Sequence, residues 1–164
     1  MTITMLGSGA WGTALANLLC ENGHTVYLWT RSAQRAEAMK QSGVNPRLQG
    51  VSLHAALQPV SDFSSLTEST MVVFASPIYY FTLSAQLQAA IHRTYSIDIP
   101  QNVKQTALIM SSGDRFVYGP AITQYYQSIV EYWKVRNAGI FTSAGDDNKS
   151  EQKYKELYEF GKSL

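Results

Sequence analysis

The short apolar run Thr2-Ile3-Thr4-Met5-Leu6 ends in Gly7-Ser8-Gly9-Ala10-Trp11-Gly12, and a helical pattern begins directly behind it. No other feature limits the fold as tightly. A Gly-x-Gly-x-x-Gly string alone is a weak signal, but between a strand and a helix it marks the opening of a βαβ unit. Gly7 permits the tight turn, Gly9 lets the backbone approach a pyrophosphate, and Gly12 lets the helix pack close to the strand. The amides at the helix start, flanked by Ser8, Ala10 and Trp11, attract phosphate charge. The plainer alternative is a glycine-rich turn that only joins strand to helix.

The remaining pattern continues the same alternation. Trp11, Ala14, Leu15, Leu18 and Leu19 recur at helical spacing until Asn22-Gly23 closes the helix. Thr25–Thr30 reads as a second strand, and Ser32 as the N-cap of a helix to about Ser42. Residues 43–62 are the least legible stretch, with a short edge strand expected at Leu57–Val60 and a brief helix behind Asp62. Met71–Ala75 is a third clear strand, followed by a helix from about Phe81 to Tyr95. A strand at Thr106–Met110, a helix opened by Pro120, a strand at Gly139–Thr142 and a helix over Ser150–Ser163 complete the chain. In the Pro120 helix, Ile122, Tyr126, Ile129 and Trp133 are expected to share a face; in the last, Tyr154, Leu157, Tyr158 and Gly161 face inward. Strands alternating with amphipathic helices imply right-handed crossovers and a parallel sheet. The fold class is therefore α/β, a three-layer doubly wound parallel sheet within one domain over residues 1–164.

Composition narrows the partners. Thirteen Lys and Arg against twelve Asp and Glu give a formal charge of +1, so there is no basic field for nucleic acid. No apolar run approaches the length of a membrane span, and the N-terminus enters a strand without a charged leader. The one cysteine, Cys20, cannot form an internal disulfide and reads as an inert, half-buried thiol, which fits a cytoplasmic setting. His24, His54 and His92 lack metal-ligand spacing, so no metal site is expected. The chain is expected to be a monomer or a homodimer.

At the end of the second strand, Thr30-Arg31 stands where a site for an unphosphorylated ribose carries Asp or Glu. Arg31, with Arg35 behind it, can accept a 2′-phosphate or stack on adenine; an exposed arginine at a helix start is the equal alternative.

Residues 1 to about 70 resemble the N-terminal part of NAD(P)-dependent glycerol-3-phosphate dehydrogenase. The likeness rests on Gly7 through Ala16, on Asn22-Gly23-His24-Thr25-Val26-Tyr27-Leu28-Trp29, and on the spacing to Asn45 and Asp62. It implies that Trp11 and Arg31 line a cofactor site. The family usually has serine where this chain has Ala10. The family's lysine-bearing loop and helical substrate domain have no counterpart here, so no catalytic residue is expected.

Residues from about 71 to 164 look like the C-terminal half of flavodoxin-like proteins, particularly NAD(P)H-dependent FMN reductases and iron-sulfur flavoproteins. Ser76-Pro77-Ile78-Tyr79-Tyr80 through Leu87, Arg93-Thr94-Tyr95, and Ser111-Ser112-Gly113-Asp114 carry that likeness. It implies that Ser76, Pro77, Ile78 and Tyr79, together with Ser112, Gly113 and Asp114, border an isoalloxazine ring. From the residues alone, a turn role for Asp114 and ordinary packing for Tyr79 are the plainer readings. The family's FMN phosphate loop is missing.

The two likenesses meet at a compositional junction near residues 62–74. The expected result is a Rossmann/flavodoxin-like hybrid with strand order 3-2-1-4-5-6 in one continuous sheet, an engineered chimera or a natural hybrid. As function, the sequence supports a nucleotide-cofactor scaffold taking NADP or NAD at the glycine loop without efficient catalysis. The alternatives are an NAD(P)H-dependent FMN reductase or FMN-binding protein, and a purely structural chimera.

Overall fold

The structure, a computed structural model, describes every residue except Ile99 and the side chains of Asn148 and Lys149. Six strands form its parallel sheet: β1 (Thr2–Leu6), β2 (Thr25–Trp29), β3 (Leu57–Val60), β4 (Met71–Tyr79), β6 (Gln105–Ser112) and β7 (Arg136–Ala144). A two-residue β5 (Thr82–Leu83) folds back antiparallel on the end of β4. The order is β3-β2-β1-β4-β6-β7, which for the six parallel strands is the expected 3-2-1-4-5-6.

The helices are α1 (Ala10–Glu21), α2 (Ala33–Ser42), α3 (Ser64–Glu68), α4 (Ala85–Thr94), α5 (Gly119–Tyr125) and α6 (Glu151–Ser163). Two cores result, one on each sheet face. On one, Phe74, Leu108 and Val72 meet Leu87 and Ala90 of α4 and Tyr125 and Ile129 beside α5. On the other, Ile3, Met5, Val73 and Ile109 meet Leu15 and Leu19 of α1 and Leu157 and Phe160 of α6.

β4 sits at the centre because nothing in its first half is polar. It pairs with β1 from Ile3↔Met71 to Leu6↔Phe74 and with β6 from Met71↔Gln105 to Pro77↔Ser111. The expected sequence junction therefore falls at the entry to a strand clasped on both edges. Buried Thr4 and Ser69 seal that entry through a 2.7 Å hydroxyl bond.

Several details depart from the sequence reading: β6 and β7 are longer than expected, at Gln105–Ser112 and Arg136–Ala144, and others have a local reason. β4 runs four residues past Ala75 because Tyr79 and Thr82 pair across a tight hairpin, so α4 starts at Ala85 rather than Phe81. In the Pro120 helix Tyr125, not Tyr126, faces the core. Ala121, Tyr125, Ile129 and Trp133 are its buried positions, spaced by four. A spacing of four exceeds 3.6 per turn, and the helix meets it by widening into a π-helical turn over Tyr126–Glu131. Tyr125 donates or accepts a 2.6 Å bond with Thr106 in the core, and burial pushes its phenol up to about 12. In α6 the inward residues are Leu157, Phe160 and Gly161, while Tyr154 is exposed. Cys20 is buried rather than half-buried, and burial raises its thiol to about 11, as an inert cysteine requires.

The β4–β5 hairpin turns through Tyr80 and Phe81, both in the left-handed region at φ 48° and 65°. Two-residue hairpin turns of this kind favour Asn-Gly, since a bulky side chain at positive φ is strained. Replacing Tyr80-Phe81 by Asn-Gly is expected to raise stability by about 1–2 kcal/mol. Thermal unfolding followed by circular dichroism checks this; an unchanged or lowered midpoint would mean that the aromatic pair relieves its own strain.

Candidate functional site

The cleft lies at the carboxyl ends of the strands, where β1 and β4 send their connections to opposite faces, the place a doubly wound sheet offers a ligand. It encloses about 460 Å³. Its floor is the glycine loop, and the loop's geometry follows from three backbones that meet there. Gly7 has φ +137°, and a Cβ on it would lie 2.2 Å from the Ala75 carbonyl oxygen of β4. A Cβ on Gly12 would lie 1.9 Å from the Gly7 carbonyl oxygen and 3.2 Å from the Ala75 Cβ. Gly9 differs from both: a Cβ there meets nothing within 4 Å. The first and third glycines hold the fold together, and the middle one leaves space.

Gly9 is the N-cap of α1, no side chain caps the helix start, and no acidic residue occupies the first turn. The loop carbonyls are held from behind. Asn45, 1% exposed, donates from Nδ2 to the Ser8 carbonyl at 3.0 Å and to Thr13 Oγ1 at 2.7 Å. Thr13 in turn donates to the Gly9 carbonyl at 2.8 Å, and Asn45 Oδ1 accepts from the Arg47 amide at 3.1 Å. In a trans peptide the N–H points opposite to its carbonyl. Fixing the Ser8 and Gly9 carbonyls therefore turns the Gly9 and Ala10 amides away from Asn45 and Thr13. Asn17 secures the same 43–56 segment to α1, donating to the Ser52 carbonyl at 2.8 Å and accepting from the His54 amide at 3.0 Å.

One side of the cleft is cationic. Arg31, at the end of β2, Arg35 of α2 and Arg47 of the long connection all line it, and no Asp or Glu is among the lining residues. Thr30 lines it too, 2% exposed, in the position the sequence left without a carboxylate. Arg47 was not legible as a site residue; its signal was only a cation two residues beyond Asn45.

The opposite wall comes from β4 and α4. Ser76, Pro77 and Tyr79 line the cleft, with Tyr79 63% exposed. The Ser76 hydroxyl is used internally, donating to the Pro77 carbonyl at 2.7 Å and accepting from the Ser84 amide at 2.9 Å. Of the residues singled out in the sequence, the cleft thus gathers Gly7, Ser8, Gly9, Ala10, Trp11, Gly12, Arg31, Ser76, Pro77 and Tyr79. It does not gather Ile78, which is buried in the core beside Leu83 and Leu87. Ser112, Gly113 and Asp114 also stand outside its lining. The Ser112 hydroxyl shares its one proton between the Asp114 carbonyl and Tyr118 Oη, and Asp114 caps the next turn by accepting from the Phe116 amide at 2.9 Å. Among the described residues no group of three or more His, Cys, Asp or Glu is placed to hold a metal, and no helix is long and apolar enough to cross a membrane.

A strand, a Gly-x-Gly-x-x-Gly turn and an uncapped helix start are the opening parts of a dinucleotide-binding βαβ unit, and residues 2–109 match the family described as NAD-dependent glycerol-3-phosphate dehydrogenase N-terminus. The chain belongs to that family. Among its curated relatives, the glycerol-3-phosphate dehydrogenase (NAD(P)+) of Ectopseudomonas mendocina is 47% identical over 75 residues, 45% of this chain and 22% of the relative. The same enzyme of Azotobacter vinelandii is 45% identical over 73 residues, 44% of this chain and 22% of the relative. The matched segments thus span less than a quarter of those relatives.

Solved structures extend the fold likeness to the whole chain. The glycerol-3-phosphate dehydrogenase of Coxiella burnetii aligns with TM-score 0.54 at 20% identity, covering 87% of this chain and 53% of its own. A flavodoxin from the domain Archaea aligns with TM-score 0.59 at 12% identity, covering 99% of this chain and 93% of its own. At such identities the likeness is one of fold: this member of the glycerol-3-phosphate dehydrogenase N-terminal family has an architecture shared with flavodoxin-like proteins.

Proposed function

We propose that this domain is a nucleotide-cofactor scaffold that takes NADP or NAD, with the pyrophosphate over the Gly7–Gly12 loop. The observation that carries the reading is Gly9: the one loop glycine whose missing side chain faces open space, at the head of an uncapped helix. Backbone amides there meet phosphate oxygens, and the helix start favours their charge. Arg31, Arg35 and Arg47 would receive the adenosine end, and with no carboxylate beside them the 2′-phosphate form is the better guest. A bound nicotinamide would supply hydride chemistry of its own. The cleft lining offers hydroxyls and guanidiniums but no imidazole, carboxylate or lysine amine, which supports binding without efficient catalysis.

Calorimetric titration with NADPH, NADH and FMN tests this. NADPH is expected to bind more tightly than NADH, and Gly9→Val is expected to weaken NADPH by about 100-fold while the far-UV spectrum is unchanged. No heat with any of the three at millimolar ligand, or binding indifferent to Gly9→Val, would leave a purely structural domain.

Tyr79 favours a second reading. It is an exposed aromatic on the wall facing the loop, able to stack on a planar ring, as an FMN-binding protein or NAD(P)H-dependent FMN reductase needs. Purified protein that is yellow, or that oxidises NADPH when FMN is added, would favour it; colourless, inactive protein would end it.

We also infer that the chain folds as one unit although its two halves resemble different families, as in a chimera. The 62–71 segment is tied across the sheet, with Thr70 N bonded to the Thr2 carbonyl at 3.0 Å and Lys104 N to the Thr70 carbonyl at 2.9 Å. Limited digestion with proteinase K, which cuts with little sequence preference, is expected to nick the largely exposed 43–55 connection before any cut between residues 62 and 71. Early release of a folded piece starting near Met71 would contradict this.

A further inference from the structure

The two edges of the sheet are built differently. β3 is four residues long and carries Pro59, a short edge blunted by a residue that cannot donate to a ladder. β7 is nine residues long and pairs only with β6 among the described strands. From Asn137 to Ala144 it reads Asn-Ala-Gly-Ile-Phe-Thr-Ser-Ala, without a charge or a proline. Each residue from Asn137 to Thr142 keeps part of its surface exposed, whereas the neighbouring residues of β6 from Gln105 to Met110 are buried. A β-bulge interrupts β7 where Thr106↔Asn137 gives way to Ala107↔Gly139, and there the Gly139 amide donates to Asn137 Oδ1 at 3.1 Å; from Gly139 to Ala144 the ladder is regular, and a neutral edge of that length is a template for another strand.

Its charges sit at its ends and have opposite signs. Lys134 precedes the strand and Asp146 follows it; both are exposed, and neither has an ion-pair partner among the described residues. We propose that β7 is a self-association edge, pairing antiparallel with β7 of a second copy of this chain across a two-fold axis. Antiparallel pairing of identical strands is self-complementary, as an isologous interface requires. Centred on Ile140, it pairs the regular Gly139–Phe141 stretches of the two copies and brings each Lys134 toward the end where Asp146 stands. A parallel pairing would instead put like charges together at both ends. The neutral middle contributes the ladder, and the charged ends select the direction. No residue of β7 is among those lining the cleft, so the proposal stands apart from cofactor binding.

Sedimentation velocity from micromolar to several hundred micromolar protein, with amide hydrogen exchange, tests it. The expected result is a reversible dimer whose β7 amides gain protection as concentration rises. Thr142→Lys, a half-exposed position outside both core clusters, is expected to weaken the dimer by at least about tenfold without altering the fold. Lys134→Glu alone is expected to weaken it, and Lys134→Glu with Asp146→Lys to restore it. A monomer at all concentrations overturns the proposal. So does a dimer that ignores Thr142→Lys, or one that the double reversal fails to restore.

Discussion

Gly12→Ala is expected to destabilise the domain by about 3–5 kcal/mol, while Gly9→Ala, three residues away in the same loop, changes stability by less than about 0.5 kcal/mol. The contrast follows from what each added methyl would meet. At Gly12 the Cβ would sit 1.9 Å from the Gly7 carbonyl oxygen, far inside contact distance. Gly7 cannot retreat, because its own Cα faces the Ala75 carbonyl so closely that a methyl there would lie 2.2 Å away. Ala75 cannot retreat either, since β4 is paired to β6 at Ala75↔Ile109. Relief therefore requires α1 to lift off the sheet, losing the packing of buried Leu15 and Leu19 against Ile3, Met5 and Val73. Overpacking alone costs about 1–3 kcal/mol, and lost burial adds to it. Urea unfolding of the two variants side by side checks the pair. A Gly12→Ala protein within about 1 kcal/mol of the parent would show that the helix has slack here.

The same loop shows what a sequence can and cannot reveal. Glycines after a strand and before a helix were enough to give Gly7 its turn and Gly12 its close packing, because those depend on local geometry shared by βαβ units; the approach of Gly7 to the Ala75 carbonyl was not legible. The six-strand order was legible because apolar runs and helical stripes alternate from Thr2 to Ser163 and agree with one another. Less legible were features decided by neighbours distant in sequence. Ile78 reads as a ring-facing residue from its place after Ser76-Pro77, yet the β4–β5 hairpin turns it into the core against Leu83 and leaves Tyr79 on the cleft. Tyr125 and Tyr126 are indistinguishable by 3.6-residue spacing, and only the π-helical turn decides between them. Arg47 sits in a connection without periodicity, and its place in the cleft depends on a side-chain bond made by Asn45.

Asn45→Ala is accordingly expected to cost about 2–4 kcal/mol of stability and about tenfold in NADPH affinity, although Asn45 is not among the residues lining the cleft. Its amide is buried and spends all its hydrogen bonds on the loop: two donated, to Ser8 and Thr13, and one accepted, from Arg47. Alanine leaves the buried Thr13 hydroxyl and the part-buried Ser8 carbonyl and Arg47 amide each short of a bond, so much of the penalty is that of desolvated groups rather than of one exchanged contact. It also frees the Ser8 carbonyl and the Arg47 backbone, loosening the floor and one cation of the cleft together. Asn45→Asp sharpens the test. It keeps the shape but replaces the donor with an oxygen facing the Ser8 carbonyl. Burial and that carbonyl raise the new carboxyl's pKa in the folded state, and only the protonated form can donate. Its stability should therefore be recovered as pH falls and lost as pH rises through the raised folded pKa, opposite to the trend of an ion-paired carboxylate. Denaturation of parent, Ala and Asp variants across acidic to neutral pH, with NADPH titrations on each, separates the outcomes. If both variants match the parent in stability and affinity, the loop holds its shape without Asn45 and the positioning role assigned to it is wrong.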